Sequence, residues 1–184
     1  MSYHQYLRKR SLLAKIYRNF FLYPRINHYL SGKVLDYGCG IGDFVSYRKN
    51  TYGVDIDDDN INFCRTLGLP VEKINSDVLP FDESFFDGVF MDNVLEHIAF
   101  PDSVIGEILR VLHPQGILII GVPGVKGFKS DPDHKVFYDV DDLDKLMLQF
   151  NLRRVALEIM PINLKRLSFY MSQYCIYGVY KSNN

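Results

Sequence analysis

Apolar and polar positions in residues 34–180 alternate between short apolar runs and longer segments with helical spacing. The apolar runs predict strands at residues 34–37, 52–56, 71–74, 85–91, 117–122, 153–159 and 173–180. The segments between them predict helices at residues 43–49, 57–67, 103–112 and 141–150, and Asp57-Asp58-Asp59-Asn60 supplies an N-cap for the second of these. This alternation of strands and helices predicts an α/β fold with an open, doubly wound sheet.

A glycine-rich turn follows the first predicted strand, in the sequence Val-Leu-Asp-Tyr-Gly-Cys-Gly-Ile-Gly-Asp-Phe. Gly38, Gly40 and Gly42 permit a tight turn and a close approach of the backbone to a ligand. A dinucleotide fingerprint would need another glycine where Asp43 stands, and a Walker phosphate loop would need a following Lys-Ser or Lys-Thr. Because Asp36 would repel a pyrophosphate, the turn predicts a nucleotide cradle that prefers a cationic group. A plain strand–turn–helix is the alternative.

Acidic side chains follow four successive predicted strands. Asp36, Asp55, Asp77 and Asp92 each lie at or shortly after the end of an apolar strand. Since ligands of a doubly wound sheet lie outside the carboxyl ends of its strands, we expect four carboxylates at one rim. Each Asp alone fits a helix cap or a turn equally well, but the repetition favours a shared site.

Five segments in chain order resemble the motifs of the class I S-adenosylmethionine-dependent methyltransferases. They are Val-Leu-Asp-Tyr-Gly-Cys-Gly-Ile-Gly, Tyr-Gly-Val-Asp-Ile-Asp, Ser-Asp-Val-Leu-Pro-Phe-Asp-Glu-Ser-Phe-Phe-Asp-Gly-Val, Val-Leu-Glu-His-Ile and Glu-Ile-Leu-Arg-Val-Leu-His-Pro-Gln-Gly-Ile-Leu-Ile-Ile. The resemblance covers residues 33–123 and is closest to the small-molecule methyltransferases. It implies a three-layer, Rossmann-like fold with a mostly parallel, seven-stranded sheet whose last strand is antiparallel. It also implies S-adenosylmethionine as cofactor and S-adenosylhomocysteine as product.

The resemblance implies roles for the glycine turn. The backbone of Gly38 and Gly40 would approach the methionine part of the cofactor, with Tyr37 beside them. Asp36 would hold the ammonium group, directly or through water. The acid suits this cation, in agreement with the charge preference of the turn.

The resemblance places the ribose and adenine against the next two strand ends. Asp55 would accept hydrogen bonds from both ribose hydroxyls, which suits a carboxylate. Ile56 would pack on the adenine. Asp77 would accept from the adenine amino group, and the backbone N–H of Val78 would donate to a ring nitrogen.

The fourth strand end would form the reaction zone, with Met91, Asp92 and Asn93 beside the sulfonium and the incoming nucleophile. A general base is needed only where the acceptor must lose a proton. His134, in the loop after the fifth strand, and His97, in Val-Leu-Glu-His-Ile, are the candidate bases, and a structural or solvated role is the alternative for each.

Some specialised classes lack their signatures. The Asn/Asp-Pro-Pro-aromatic motif of base-amine methyltransferases is absent, and the reaction zone has no cysteine of the kind that attacks pyrimidine carbon. The chain's cysteines, Cys39, Cys64 and Cys175, are widely spaced without C-x-x-C, which indicates neither a disulfide framework nor zinc. No metal-ligand cluster stands out, so no metal is predicted, although scattered aspartates leave magnesium open.

The length and charge of the chain indicate its domain organisation and localisation. A chain of 184 residues with 47% hydrophobic content predicts one domain, and neither a membrane span nor a signal peptide is apparent, so a cytoplasmic protein is expected. We divide it into an N-terminal helical arm at 1–30, a cofactor-binding core at 31–160, and a substrate-side excursion with the last strand at 161–184. The first 33 residues carry seven basic and no acidic side chains.

The arm has an apolar side that predicts packing on the sheet. This side consists of Tyr3, Tyr6, Leu13, Ile16, Tyr17 and Phe20. Such a basic, amphipathic arm also suits peripheral contact with an anionic membrane.

The leading function is methyl transfer to an oxygen or nitrogen of a small molecule, including phosphorylated, sugar-linked or lipid-linked acceptors. The alternatives are an RNA or protein methyltransferase that uses the basic termini and a non-catalytic cofactor-binding partner protein. A nucleic-acid partner is disfavoured, and the sequence does not define the oligomeric state.

Overall fold

Seven strands form one mixed sheet in the computed structural model of the chain, which describes residues 12–183. They are β1 Val34–Tyr37, β2 Thr51–Asp55, β3 Val71–Lys73, β4 Phe86–Asp92, β5 Leu112–Pro123, β6 Leu152–Met160 and β7 Cys175–Ser182. Their order is β3-β2-β1-β4-β5-β7-β6, with β1 to β5 parallel and β7 antiparallel to both neighbours. The predicted seven-stranded, mostly parallel sheet with an antiparallel last strand is confirmed.

Helices flank this sheet. The α-helices are α1 Leu12–Tyr17, α2 Tyr23–Asn27, α3 Asp43–Tyr47, α4 Asp58–Thr66, α5 Asp102–Val111, α6 Val125–Lys129 and α7 Val140–Gln149. A π-helical turn, Arg18–Leu22, joins α1 to α2, and 3₁₀ turns occupy Leu95–His97 and Lys165–Phe169. Within residues 12–183, no helix is both long and apolar enough to cross a membrane.

The core lies on both faces of the sheet. Val89 and Met91 of β4 pack in one apolar cluster with Ile108 of α5, whereas Phe90 packs in a second cluster with Leu22 of the N-terminal segment. Because successive strand residues point to opposite faces, this alternation produces the three layers of helix, sheet and helix.

Local chemistry fixes the starts of two helices. The Asp57 carboxylate accepts from the backbone N–H of Asp59 at 2.8 Å and of Asn60 at 3.1 Å, so the predicted cap of α4 is confirmed. Asp139 and Asp142 form a reciprocal capping box at the start of α7. Helix α4 therefore begins directly after the end of β2, where the ribose-binding acid is expected.

The strand expected at residues 117–122 begins earlier, at Leu112. Phe86 of β4 pairs with Leu112, and Gly88 then pairs with Ile117. Residues 113–116, which follow the end of helix α5, form a bulge between these two pairs. The strand therefore includes residues on both sides of the bulge. The sequence prediction of the start of this strand is wrong for this reason.

Of the side chains predicted to pack the N-terminal arm on the sheet, Tyr17 is partly buried and packs there, whereas others do not. Tyr3 and Tyr6 lie outside the described residues, and Leu13 and Phe20 are 77% and 71% exposed. Leu22, at the end of the π turn, is 2% exposed and packs on the sheet. A π turn holds more residues than an α turn, so it rotates the residues before it relative to those after it. Leu13 and Phe20 of the predicted apolar side therefore face away from the sheet, while Tyr17 keeps its contact with it.

Candidate cofactor and acceptor site

The glycine turn connects β1 to α3 through three left-handed residues. The φ angles of Gly38, Gly40 and Gly42 are +76°, +54° and +76°. A Cβ on Gly38 would lie 2.4 Å from the Val94 side chain, so the backbone approaches closely only because the residue is glycine. The carbonyl oxygen of Val54 accepts from the N–H groups of Gly38 and Cys39, both at 2.9 Å. These bonds join the turn to β2.

Asp55, at the end of β2, supports the turn from the other side. Its Oδ2 accepts from the N–H of Gly40 at 2.7 Å and its Oδ1 from the N–H of Asp57 at 2.8 Å. Burial raises the pKa of Asp55, while these two backbone donors oppose the rise. The side chain of Asn60 opposes the rise as well, and a carboxylate has about four acceptor sites, so Asp55 keeps capacity for a further hydrogen bond from a ligand.

A charged group of two acids and one base lies at the ends of β1 and β4. Asp36 is buried, and its pKa is raised well above the usual value by burial and by the charge of Asp92. Arg18 of the π turn opposes this rise. Its Nη2 donates to Oδ2 of Asp92 at 2.5 Å. A ligand with a cationic end would offset the burial and the Asp92 charge that favour the protonated form of Asp36, so the region suits such a ligand.

Asp92 is held from several elements at once. Oδ1 accepts from the hydroxyl of Tyr177 in β7 at 3.0 Å and from Nδ2 of Asn93 at 2.8 Å. Asn93 has a φ of +54°, and its N–H donates to the carbonyl of Gly121 in β5 at 2.9 Å. The carboxylate is thus fixed in position, as a group beside reacting atoms must be.

A pocket opens between the glycine turn and the N-terminal helical segment. Its walls include Arg18, Tyr23, Asp36, Gly38, Cys39, Gly40, Ile41, Asp43, Phe44, Phe90, Asp92 and Asn93. The space left is about 60 Å³, small beside the roughly 300–1,000 Å³ of most ligand clefts. Arg18 fills part of it, because its Nε donates to the hydroxyl of Tyr23 at 2.9 Å and its guanidinium lies 5.1 Å from that ring. A wider depression of about 440 Å³ at α7 and β6 lies away from these strand ends.

The remaining residues assigned to the cofactor lie in two environments. Ile56 and Val78 are 75% and 69% exposed, so a ligand can reach both side chains. Asp77 accepts from the hydroxyl of Ser103. The side chains of Tyr37 and Met91 pack in the core, so only their backbones can face a ligand at the rim.

The two predicted bases lie together, outside the walls described for the pocket. The rings of His97 and His134 are 4.6 Å apart between centroids. Nε2 of His134 lies 3.7 Å from Oε1 of Glu96, a carboxylate that is 1% exposed. Burial raises the pKa of Glu96 to about 8 and, with His134, lowers the pKa of His97.

Sequence reasoning missed several of these groups. The arm was recognised as basic, but nothing in its spacing distinguishes Arg18 from its exposed neighbours. Tyr177 stands in an apolar strand, where a tyrosine usually indicates only packing. Glu96 had a usable signal, because a carboxylate that follows Val-Leu directly after a buried strand has little access to solvent.

Comparison with known proteins places this geometry in a family. Residues 35–120 match the methyltransferase domain family. A protein of unknown function from Methanocaldococcus jannaschii is 39% identical over 112 residues, which make up 57% of this chain and 48% of that protein. A fatty-acid O-methyltransferase from Mycolicibacterium smegmatis is 35% identical over 99 residues, 47% of this chain and 35% of that enzyme. The chain thus spans half or less of the length of these relatives.

The similarity in fold to solved structures extends beyond residues 35–120. A SAM-dependent methyltransferase from Archaeoglobus fulgidus superposes with a TM-score of 0.72 over 97% of this chain and 100% of that one, at 19% identity. At this identity the superposition shows the fold. Together with the match at residues 35–120, a little under half of the chain, it gives this chain the fold and a core segment typical of the class I S-adenosylmethionine-dependent methyltransferases, whose cofactor is S-adenosylmethionine.

Proposed function

We propose that this chain transfers the methyl group of S-adenosylmethionine to an oxygen or nitrogen of a small molecule, and that the favoured acceptor is an anionic molecule methylated on oxygen. The observation that carries this proposal is the guanidinium of Arg18 at 2.5 Å from Asp92, in the wall of a pocket that begins at the glycine turn.

The cofactor contacts follow from charge and backbone geometry. Asp36 would bind the ammonium group, because a cation offsets the burial and the neighbouring negative charge that raise the pKa of this acid. Asp55 would accept from the ribose hydroxyls with its remaining lone pairs. Ile56 and Val78 would border the adenine, and Asp77 would accept from its amino group. Gly38 and Gly40 would face the methionine part.

Positioning supplies much of the rate of such a transfer. S-adenosylmethionine supplies an already activated methyl group, so the protein has to hold the acceptor atom in line with it. Asp92 and Asn93 are fixed by β5 and β7 at the expected reaction zone. A carboxylate acceptor has no proton to lose, so it needs no base at this point. The predicted basic roles of His97 and His134 apply only to a hydroxyl or amine acceptor.

Arg18 is the group that would select the acceptor. A guanidinium matches a carboxylate or phosphate with two parallel hydrogen bonds, and it is well suited to partly buried ion pairs. Its present partner is Asp92, and its side chain narrows the pocket. An anionic acceptor in the pocket would take the place of Asp92 as partner of Arg18. The relative from Mycolicibacterium smegmatis that carries the name fatty-acid O-methyltransferase supports a carboxylate as this group.

The alternative acceptors have weaker support. An RNA or protein substrate would use the basic termini, but Arg18 contacts Asp92, and Arg25 contacts the sulfur of Met160. A lipid-linked acceptor with peripheral membrane contact is favoured by the exposed Leu13 and Phe20 of the arm. For every acceptor we propose the same division of the chain. It consists of an arm at 1–30, a cofactor-binding core at 31–160 and a substrate-side excursion at 161–184.

The test is transfer of labelled methyl groups from S-adenosylmethionine to a panel of acceptors. The panel contains medium-chain fatty acids, sugar phosphates, quinone precursors, primary amines and total RNA, with binding of S-adenosylmethionine and NAD measured by calorimetry. We expect binding of S-adenosylmethionine and transfer to a carboxylate or other anionic oxygen acceptor. Transfer to RNA alone would overturn the small-molecule assignment. Binding of S-adenosylmethionine without transfer to any acceptor would support the non-catalytic partner instead.

A further inference from the structure

A cluster of three metal-ligating side chains lies beyond the end of β4, outside the cofactor pocket. It consists of Glu96 and His97 of the 3₁₀ turn and His134 of the loop before α7. One ligand atom from each residue lies within 4.8 Å of the others. We propose that this cluster binds a divalent transition-metal ion, with Zn²⁺ as the preferred ion among common cellular metals.

The buried carboxylate is the first argument. Glu96 is 1% exposed, and neither of its oxygens hydrogen bonds another side chain in residues 12–183. Nε2 of His134 lies 3.7 Å from Oε1 of Glu96, which is too long for a hydrogen bond. A buried carboxylate without partners costs several kcal/mol or takes up a proton. A bound cation compensates the same cost and gives both oxygens a ligand.

The orientation of the histidines is the second argument. Nδ1 of His134 lies 2.8 Å from the carbonyl oxygen of Phe128, and Nδ1 of His97 lies 3.3 Å from that of Asp133. A carbonyl oxygen only accepts, so each Nδ1 carries the proton and each Nε2 keeps its lone pair. Metal-binding histidines are usually held in this way, with the second ring nitrogen donating to a carbonyl or carboxylate.

The backbone brings the two segments together independently of any side chain. The carbonyl oxygen of Glu96 accepts from the N–H of Lys135 at 2.8 Å and from that of Val136 at 3.1 Å. These bonds fix the loop that carries His134 on the turn that carries His97. The cluster is therefore built into the fold, although its ligands lie more than thirty residues apart in the sequence.

The distances and ligand types indicate the kind of ion. Metal bonds of about 2.0–2.1 Å give a tetrahedral edge of about 3.3–3.4 Å, so the 3.7 Å separation needs only a small contraction. Oδ2 of Asp131 lies 3.9 Å from Nε2 of His134 but does not lie within 4.8 Å of all three ligand atoms, so it is not counted as a ligand. Two imidazoles with a carboxylate suit Zn²⁺ and its neighbours, whereas Mg²⁺ and Ca²⁺ prefer oxygen ligands throughout. This proposal departs from the expectation, drawn from the sequence, that no metal binds.

The experiment measures metal binding and does not depend on methyl transfer. The full chain is stripped with EDTA, desalted and titrated with Co²⁺, whose visible absorption reports coordination, and Zn²⁺ is then added as competitor. We expect one Co²⁺ per chain, displaced by Zn²⁺ and not by Mg²⁺. A chain that takes up no Co²⁺ or Zn²⁺ in the micromolar range would overturn the proposal.

Variants identify the ligands. Glu96→Gln and His134→Ala are each expected to weaken Co²⁺ binding by at least about tenfold. His28→Ala is the matched control, since His28 is an exposed histidine of the N-terminal segment and should leave binding unchanged. Equal losses in the control and in His134→Ala would place the metal elsewhere.

Thermal unfolding shows whether each variant is folded. If a variant fails to fold, a second measurement on the wild-type chain replaces it. X-ray absorption of the Zn²⁺-loaded wild-type chain is expected to show two imidazole ligands with oxygen, and a ligand shell without imidazole would overturn the proposal. Metal binding in a chain that transfers no methyl group would leave this inference intact, and a metal-free chain with methyl transfer would leave the proposed function intact.

Discussion

The two sides of the pocket differ in how their contacts are encoded. On the cofactor side, Asp55 binds the N–H groups of Asp57 and Gly40, which are 2 and 15 positions away in the chain. On the side that we propose for the acceptor, Asp92 binds Arg18 and Tyr177, which are 74 and 85 positions away. The cofactor side is a local backbone structure with a readable motif. The acceptor side exists only once the arm and β7 have docked, so related chains can change it without altering the motif.

The largest expected effect is on the local side, from Gly38→Ala. Ala would have to adopt a φ of +76° with its Cβ 2.4 Å from Val94, so we expect S-adenosylmethionine binding to be abolished. The free energy of unfolding should fall by about 1–3 kcal/mol or more, as measured by urea unfolding. Gly68→Ala is the control, because Gly68 has a φ of +69° but nothing within 4 Å of its Cβ position. Equal effects of the two changes would mean that the close contact with Val94 is unimportant.

A second effect on the local side is expected from Asp55→Ala. The N–H groups of Gly40 and Asp57 would lose their acceptor, at about 1–3 kcal/mol for each buried group, and the ribose would lose its carboxylate. We expect S-adenosylmethionine affinity, measured by calorimetry, to fall about 100-fold. Asp58→Ala, which removes an exposed partner of Lys73, should change the affinity little. Wild-type affinity in Asp55→Ala would reject the ribose role.

The remote side should respond differently to Arg18→Gln. We expect the KM for an anionic acceptor to rise about tenfold or more, because a charged bidentate donor is lost. The affinity for S-adenosylmethionine should not fall, since the glycine turn is untouched. Arg25→Gln, in the same helical segment, is the control. A parallel loss of cofactor affinity in Arg18→Gln would show that the two sides do not act separately.

The smallest expected effect is a pH dependence at the junction of the two sides. Burial and Asp92 raise the pKa of Asp36, so folding favours its protonated form. The stabilisation is complete below the unfolded pKa, near 3.9, and is lost as pH rises through the folded value. Asp36→Asn removes this titration. In the ligand-free protein we expect the variant to gain stability relative to wild type as pH rises from about 4 to 8. Thermal unfolding across that range is the measurement, and parallel curves would count against the shift.

The sequence predicted the features that depend on neighbouring residues. The strand before the glycine turn, the Asp57 cap and the order of strands and helices follow from local pattern and from motifs of short spacing. The contacts of Arg18 and the burial of Glu96 depend on elements that meet only in the folded chain. The start of β5 at Leu112 depends on its pairing with Phe86, which no local pattern records. The roles of individual site residues stay predictions until cofactor binding is measured.

The π turn at Arg18–Leu22 makes the arm sensitive to length as well as to composition. Each residue of an α-helix advances by about 100° around the axis. Deletion of one residue within this turn would restore α geometry and turn the upstream residues by about that angle relative to Leu22. Leu13 and Phe20 would then change the direction in which they face, while Leu22 and the sheet beneath it stayed in place. A single codon thus separates two orientations of residues 12–17 relative to the sheet.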